Sequence, residues 1–151
     1  MRSLPRVTRH SATVLLLAIA GCGRGGGPPL AERNGLRIMS GYAHPSAGQA
    51  GAAYFTIVNR GGVPDTLSGA SGATSGSGMV MSTSAGRMMS MAVLPIATGA
   101  EVKMVPGGTH IMFGGLGRDW AIGDTVHLTL HFAHAGAVEV TVPVLPYGEI
   151  P

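Results

Sequence analysis

The methionines of this chain are the residues whose type and spacing most suggest chemistry. The chain has nine in 151 residues, and seven of them lie between Met79 and Met112. Met79 and Met81 are two residues apart, and so are Met89 and Met91. Because successive side chains of a strand point to opposite faces of its sheet, each pair is expected to share a face.

A histidine follows the same spacing further along the chain. His110 and Met112 are two residues apart and are expected to share a strand face. Thioether sulfur is soft and uncharged, and it suits Cu(I) far better than Zn²⁺, Mg²⁺ or Ca²⁺, whereas imidazole suits several transition metals. Two or three thioethers with one imidazole therefore favour Cu(I) over Cu(II).

A predicted hairpin turn at 84–87 (Ser-Ala-Gly-Arg) would set Met81 roughly across from Met91. The predicted metal ligands are Met81, Met91, His110 and Met112, with Met79 and Met89 as secondary candidates. A methionine on a strand more often fills the core, and we assign Met88 and Met104 to the core for that reason.

Three other histidines form a weaker pattern. His127 and His131 are four residues apart on one predicted strand, and His134 follows in a turn. That separation is too long for the first two to chelate one ion without a further ligand, so a solvated sheet face is the expected interpretation. A second site for Cu(II) formed by these three histidines is the alternative.

Short apolar runs, separated by Gly, Pro, Asn and Asp, predict an all-β sandwich that positions these residues. The predicted strands are Leu36–Tyr42, Ala52–Asn59, Thr66–Ala70, Gly78–Ser82, Met88–Leu94, Glu101–Met104, Thr109–Phe113, Thr125–Phe132 and Val138–Val144. Apolar residues alternate most regularly in the last two of these strands. Ser71–Gly78 is predicted to be a long loop of small residues.

The N-terminus is typical of an export signal. A basic stretch and a short apolar run end at Ile19–Cys22, which resembles a bacterial lipobox in which Cys22 is lipidated. We therefore predict a lipoprotein signal peptide at 1–21, a flexible Gly-rich tether at 22–35 and one domain at 36–148 on the periplasmic side of the envelope. Cys22 is the only cysteine, so a metal site in the domain must use other ligands.

Charge and composition exclude several function classes. From Cys22 onward seven basic residues are balanced by seven acids, and a neutral domain lacks the basic surface that nucleic acid requires. The chain has no carboxylate pair, nucleophile motif or phosphate-binding loop of an enzyme. Blue-copper electron transfer would need a cysteine ligand, and the single cysteine lies in the lipobox.

Three segments resemble the PCu(A)C family of periplasmic copper chaperones. These are 106–112 (Pro-Gly-Gly-Thr-His-Ile-Met), 123–126 (Gly-Asp-Thr-Val) and 52–59, a Tyr-containing strand that ends in Asn. The resemblance covers roughly residues 36 to 144 and implies a cupredoxin-like Greek-key β-sandwich. It also implies a ligand set of His110, Met112 and two earlier residues, which Met81 and Met91 match best.

The resemblance further implies a metallochaperone that carries Cu(I) to a copper-accepting envelope partner, such as the copper centre of cytochrome c oxidase or its assembly components. Copper buffering or storage would use the same ligands, and the sequence does not separate storage from delivery. A copper-free β-sandwich that serves as an interaction module is the alternative of a different class.

The lipobox leads to a test of the anchor. We expect the mature chain to begin at acylated Cys22 and to partition into detergent, because several acyl chains on one residue give stable anchoring. Cys22→Ser should be released as free protein or retained uncleaved. Intact-mass measurement of the membrane-extracted protein checks this, and an unmodified thiol at Cys22 would contradict it.

Overall fold

The structure is a computed structural model that describes residues 27–151, and the predicted signal peptide lies outside the described residues. The described part consists of strands joined by turns and irregular segments. The strands are β1 (Ala31–Arg33), β2 (Leu36–Ala43), β3 (Ala50–Asn59), β4 (Asp65–Gly72), β5 (Gly76–Ser84), β6 (Arg87–Met91), β7 (Leu94–Ile96), β8 (Glu101–Lys103), β9 (His110–Gly114), β10 (Thr125–Phe132) and β11 (Ala137–Pro143). Within residues 27–151 no helix is long and apolar enough to cross a bilayer.

The strands pair antiparallel in the order β1-β2-β3-β9-β5-β4-β10-β11. Three short strands lie off this path: β6 pairs with β5, β7 with β4 and β8 with β3. A parallel bridge between Ala43 and Val144 connects the two ends of the sheet, which is therefore nearly closed around its core. The prediction of an all-β sandwich is confirmed.

The long strands supply the core, and β10 and β11 do so from one face only. In β10, Val126, Leu128 and Leu130 are buried while the alternating His127 is exposed, as the period of two predicts. β11 follows the same rule, and its register brings Val140 opposite Leu128. The burial of these two strands confirms the predicted alternation.

Several predicted boundaries are wrong, and the strand predicted over Met88–Leu94 is divided into β6 and β7. The loop predicted over 71–78 is mostly strand, because β4 continues to Gly72 and β5 begins at Gly76, leaving a short turn between them. A run of small residues shows no alternation of apolar and polar residues, which is the pattern that predicts a strand. Gly and Ser can still form a strand, because strands pair through backbone hydrogen bonds. The predicted tether also contains an element, since Ala31–Arg33 forms β1 and pairs with β2.

A tight hairpin joins β5 to β6, as predicted. Ser84 pairs with Arg87, and the two residues between them have positive φ, 49° at Ala85 and 75° at Gly86. Two central residues with positive φ define the turn type that matches the natural twist of a hairpin. This turn determines the register of the whole hairpin, and with it the face that each methionine of β6 occupies.

The close packing of β5 against β9 can be tested at a glycine. A Cβ added to Gly78 would lie 2.7 Å from the Phe113 ring and 2.8 Å from Ile111. Gly78→Ala should therefore destabilise the domain by about 1–3 kcal/mol through overpacking. Gly114→Ala is the matched control on the same sheet, because nothing lies within 4 Å of its added Cβ. Urea unfolding of both variants checks this, and equal effects would contradict it.

Candidate metal centre

The pairing of β5 with β9 brings four of the candidate ligands together. Met81 lies directly opposite His110, and Met79 lies directly opposite Met112. Directly opposed residues on antiparallel strands have Cβ atoms about 4.5–5.5 Å apart, and diagonal neighbours remain within reach of long side chains. The three sulfurs and the one imidazole of this square can therefore approach a common point above the sheet.

These four residues share the outer face of the sheet. Between them lie Val80 and Ile111, which pair with each other and are both fully buried in the core. Since side chains alternate along a strand, the residues on either side of this pair must point away from the core. The site is thus a direct consequence of the core register.

Backbone hydrogen bonding orients the His110 ring. Nδ1 lies 3.0 Å from the Gly108 carbonyl oxygen, to which it donates when it carries the ring proton. This leaves Nε2 unprotonated and available to a metal, the arrangement that metal-binding histidines usually adopt. Gly107, with φ at 77°, provides the left-handed turn before β9. The ring is only 3% exposed, so its orientation is held by its surroundings.

An aromatic cluster, made of Tyr42, His44, Tyr54 and Tyr147, borders His110. The Tyr54 ring is centred 6.0 Å from the His110 ring and stacks on Tyr42 at 4.9 Å. His44 meets Tyr54 edge-on at 5.2 Å, and Tyr147 covers His44 at 4.9 Å. Tyr54 is the member of the cluster that lies beside His110, whose exposed fraction is 3%.

The cluster keeps its phenols neutral. Burial raises the pKa of Tyr54, and the nearby Tyr42 and Tyr147 raise it further. Burial also raises the pKa of Tyr42. Both phenols therefore stay protonated to a higher pH than a free tyrosine does.

The hairpin register reverses two of the predictions for β6. Met81 pairs with Ser90, and Met91 pairs with Val80. The expectation that Met91 lies across from Met81 is therefore wrong by one residue. Met91 is on the face of Val80 and packs partly against the core, and Met89 lies opposite Ser82 on that same face.

Met88 is the methionine of β6 on the face of the site. It pairs with Thr83, two residues from Met81, and its side chain is 53% exposed. The assignment of Met88 to the core is therefore wrong, whereas that of Met104, 2% exposed, is confirmed. The sequence contains the signal that finds Met88: in a hairpin with a two-residue turn, paired positions have a constant sum, so Met88 pairs with Thr83, which lies two residues from Met81 and on the same face.

The three other histidines do not form a site. His127 lies against Thr141, with Nδ1 3.0 Å from its hydroxyl, while His131 Nε2 lies 2.7 Å from the Ser71 hydroxyl. The backbone N–H of His134 donates to Asp65. Among residues 27–151, no group of three or more His, Cys, Asp or Glu side chains could hold a metal ion. The solvated sheet face is therefore the interpretation that this part of the structure supports.

The fold of the described residues is that of a PCuAC-type β-sandwich. The copper-bound PCuAC domain from PmoF2 superposes with a TM-score of 0.67 at 21% identity, covering 77% of this chain and 97% of that domain. The solution structure of CuI-DR1885 from Deinococcus radiodurans gives a TM-score of 0.61 at 26% identity, covering 80% of this chain and 83% of that one. The resemblance expected from the sequence is confirmed.

A family comparison is more specific. Residues 36–144 match the LpqE-like lipoprotein family, and the chain belongs to that family. Among the curated proteins compared with it, none matches the chain. The apo PCuAC domain from PmoF1 has the same fold, with a TM-score of 0.67 at 18% identity over 80% of this chain and 98% of that domain.

The buried phenol of Tyr54 gives a pH test of the cluster. Its pKa lies above the ordinary value of 10.0 in the folded chain, so the folded state retains a proton that the unfolded chain releases. The stabilisation that comes from this raised pKa is complete below pH 10. It is lost as the pH rises toward the pKa of Tyr54 in the folded state. Between pH 8 and pH 11, the free energy of unfolding measured in urea should fall less for Tyr54→Phe than for the wild type. Equal falls in the two proteins would contradict this.

Proposed function

We propose that this protein is a metallochaperone of the bacterial envelope that binds one Cu(I) ion on the outer face of β5 and β9 and delivers it to a copper-accepting partner. The observation that carries the proposal is the register that sets Met81 opposite His110 and Met79 opposite Met112. Residues that pair across strands are far apart in sequence, yet here both pairs consist of soft or borderline metal ligands.

The ligand set proposed is Met81, His110 and Met112, completed by a further thioether of the same face. Met79 and Met88 are the methionines available for that last position. Met91 and Met89, which the sequence suggested, are left out because they occupy the opposite face of the hairpin. Because all the proposed donors are neutral, they do not offset the positive charge of the bound ion. One uncompensated charge costs less than two, so the site suits a monovalent ion better than a divalent one.

The chemistry of the donors selects copper in its reduced state. Thioether sulfur prefers Cu(I), and the hard ions Mg²⁺ and Ca²⁺ require oxygen donors instead. Two similar structures support this choice, since one is a copper-bound PCuAC domain and the other is CuI-DR1885. Binding needs no proton from the methionines, so only His110 would make it depend on pH.

Delivery is favoured by the accessibility of the ligands. His110 is buried, Met81 and Met112 are half-buried, and Met79 is 55% exposed. Because exposure increases from His110 to Met79, a partner's ligand can reach the ion from the exposed side without unfolding of the domain. Membership of the LpqE-like lipoprotein family and the lipobox at Cys22 support a lipid-anchored location on the periplasmic side, where the copper centre of cytochrome c oxidase is one candidate acceptor.

Substitution of two ligands tests the site. His110→Ala combined with Met112→Leu should lower Cu(I) affinity by at least about a hundredfold, equivalent to roughly 2.8 kcal/mol, because two donors are lost. Met104→Leu and Met91→Leu are the controls, since both methionines pack on the core side. Competition against a Cu(I) chelator under reducing conditions measures affinity, and circular dichroism checks folding.

The outcome of this titration also separates the alternatives. Wild-type affinity in the folded double variant would overturn the proposed ligands. Failure of the wild type to bind any Cu(I) would leave a copper-free interaction module. Tight binding without transfer to a thiol-containing copper acceptor would favour storage over delivery.

A further inference from the structure

The strand β6 forms an edge of the sheet. It pairs with β5 on one side, and within residues 27–151 no strand pairs with its other side. Four of its five residues are exposed. An unpaired edge presents a row of backbone donors and acceptors to which another strand can add. The outer edge of β6 is therefore available to a further strand.

The other short strands at the edges of the sheet carry protection that β6 lacks. β1 has an acid and a base (Ala-Glu-Arg), β8 has both as well (Glu-Val-Lys), and β7 has a proline at its centre (Leu-Pro-Ile). Charges and proline are the devices by which natural edge strands discourage pairing with another chain. β6 has the sequence Arg-Met-Met-Ser-Met, with its single charge at the end next to the turn. This contrast favours β6 as a strand that accepts a partner.

The hairpin turn decides which backbone groups of β6 point to this free edge. The residues that flank the two-residue turn exchange backbone hydrogen bonds, and bonded and non-bonded pairs then alternate along the hairpin. Met88 and Ser90 both belong to non-bonded pairs, with Thr83 and Met81 as their respective neighbours on β5. The N–H and C=O groups of Met88 and Ser90 consequently point outward.

These outward groups are self-complementary, and we propose that β6 pairs antiparallel with β6 of a second copy of this chain. When Met88 lies opposite Ser90 of the partner subunit, every outward group of both strands is bonded across a twofold axis. Pairing Met88 with the partner's Met88, or Ser90 with the partner's Ser90, leaves outward groups of the strands unbonded. The hydrogen-bond pattern therefore selects one register. This inference goes beyond the proposed function and does not depend on copper.

The side chains favour the same register. Met89 lies on the twofold axis, where it meets Met89 of the partner subunit in a non-bonded pair, the closer kind of cross-strand neighbour. Met89 is 57% exposed in one protomer, so pairing removes apolar surface from water. Arg87 lies opposite the partner's Met91. The two Arg87 side chains are then roughly 13 Å apart along the strands, farther than the screening length at physiological salt.

The resulting dimer is small and symmetric. Two five-residue strands bury less area than a standard interface, so association should be weak and should depend on protein concentration. Residues that lie directly opposite each other on paired strands share a face of the sheet. The face of Met88 therefore continues into the partner, and both candidate metal sites lie on the same side of one continuous sheet. Two carriers joined in this way present both sites to a single acceptor surface.

Disulfide trapping tests the pairing in the full chain. Met89→Cys should form a covalent dimer under mild oxidation with diamide, because directly opposed side chains on the twofold axis meet the distance that a disulfide requires. Met88→Cys is the matched control, since Met88 is the neighbouring residue, is 53% exposed and lies opposite Ser90 of the partner subunit. After subtraction of any dimer that the wild type forms through Cys22, we expect at least about tenfold more dimer from Met89→Cys than from the control.

Ser90→Pro added to Met89→Cys gives a second readout. Proline removes an outward N–H donor and leaves the hydrogen bonds to β5 intact, as an edge strand tolerates. The covalent dimer should fall to the wild-type level while circular dichroism shows an unchanged fold.

Equal trapping of Met88→Cys and Met89→Cys, or a dimer that persists in the folded Ser90→Pro variant, would overturn the pairing of two copies. A Met89→Cys chain that forms no covalent dimer at any concentration would also overturn it and would leave the edge to a strand of another protein. None of these outcomes changes Cu(I) affinity, so the pairing and the proposed function can fail independently.

Discussion

The register between β5 and β9 is the constraint on which the candidate site depends. Val80 and Ile111 pair in the core with no exposed surface, and moving either strand by one residue would exchange buried and exposed faces. Such a shift would turn Val80 or Ile111 outward and bring Met81 or His110 into the core. The free energy of core burial therefore also maintains the alignment of the methionines with His110.

Rigid and adaptable parts of the site are clearly divided. His110 is buried, bonded to Gly108 and bordered by stacked tyrosines, so the nitrogen donor is held in one orientation before a metal arrives. The sulfur donors lie on the open side, on long side chains with several rotatable bonds. This division suits a carrier, because a preorganised donor keeps specificity while flexible thioethers adjust to binding and release.

The aromatic cluster connects the site to the end of the chain. The Tyr147 hydroxyl donates to the Pro45 carbonyl at 2.8 Å, and its ring covers His44. His44 Nδ1 lies 3.1 Å from the Leu145 carbonyl oxygen. The segment after β11 is thereby attached to the aromatic cluster, of which Tyr54 is the member that lies beside His110.

The sequence by itself determined the fold class, the hairpin turn at Ala85 and Gly86, and the common face of His110 and Met112, because each depends on local alternation or turn chemistry. That turn also decides which methionine of β6 faces Met81, once the strands are paired outward from it. The predicted turn is correct, but the predicted pairing of Met91 with Met81 is wrong by one residue, which exchanges the faces of Met91 and Met88, since side chains change face at every residue. The pairing of β5 with β9 links residues about thirty positions apart, and only packing of the whole core decides such a register.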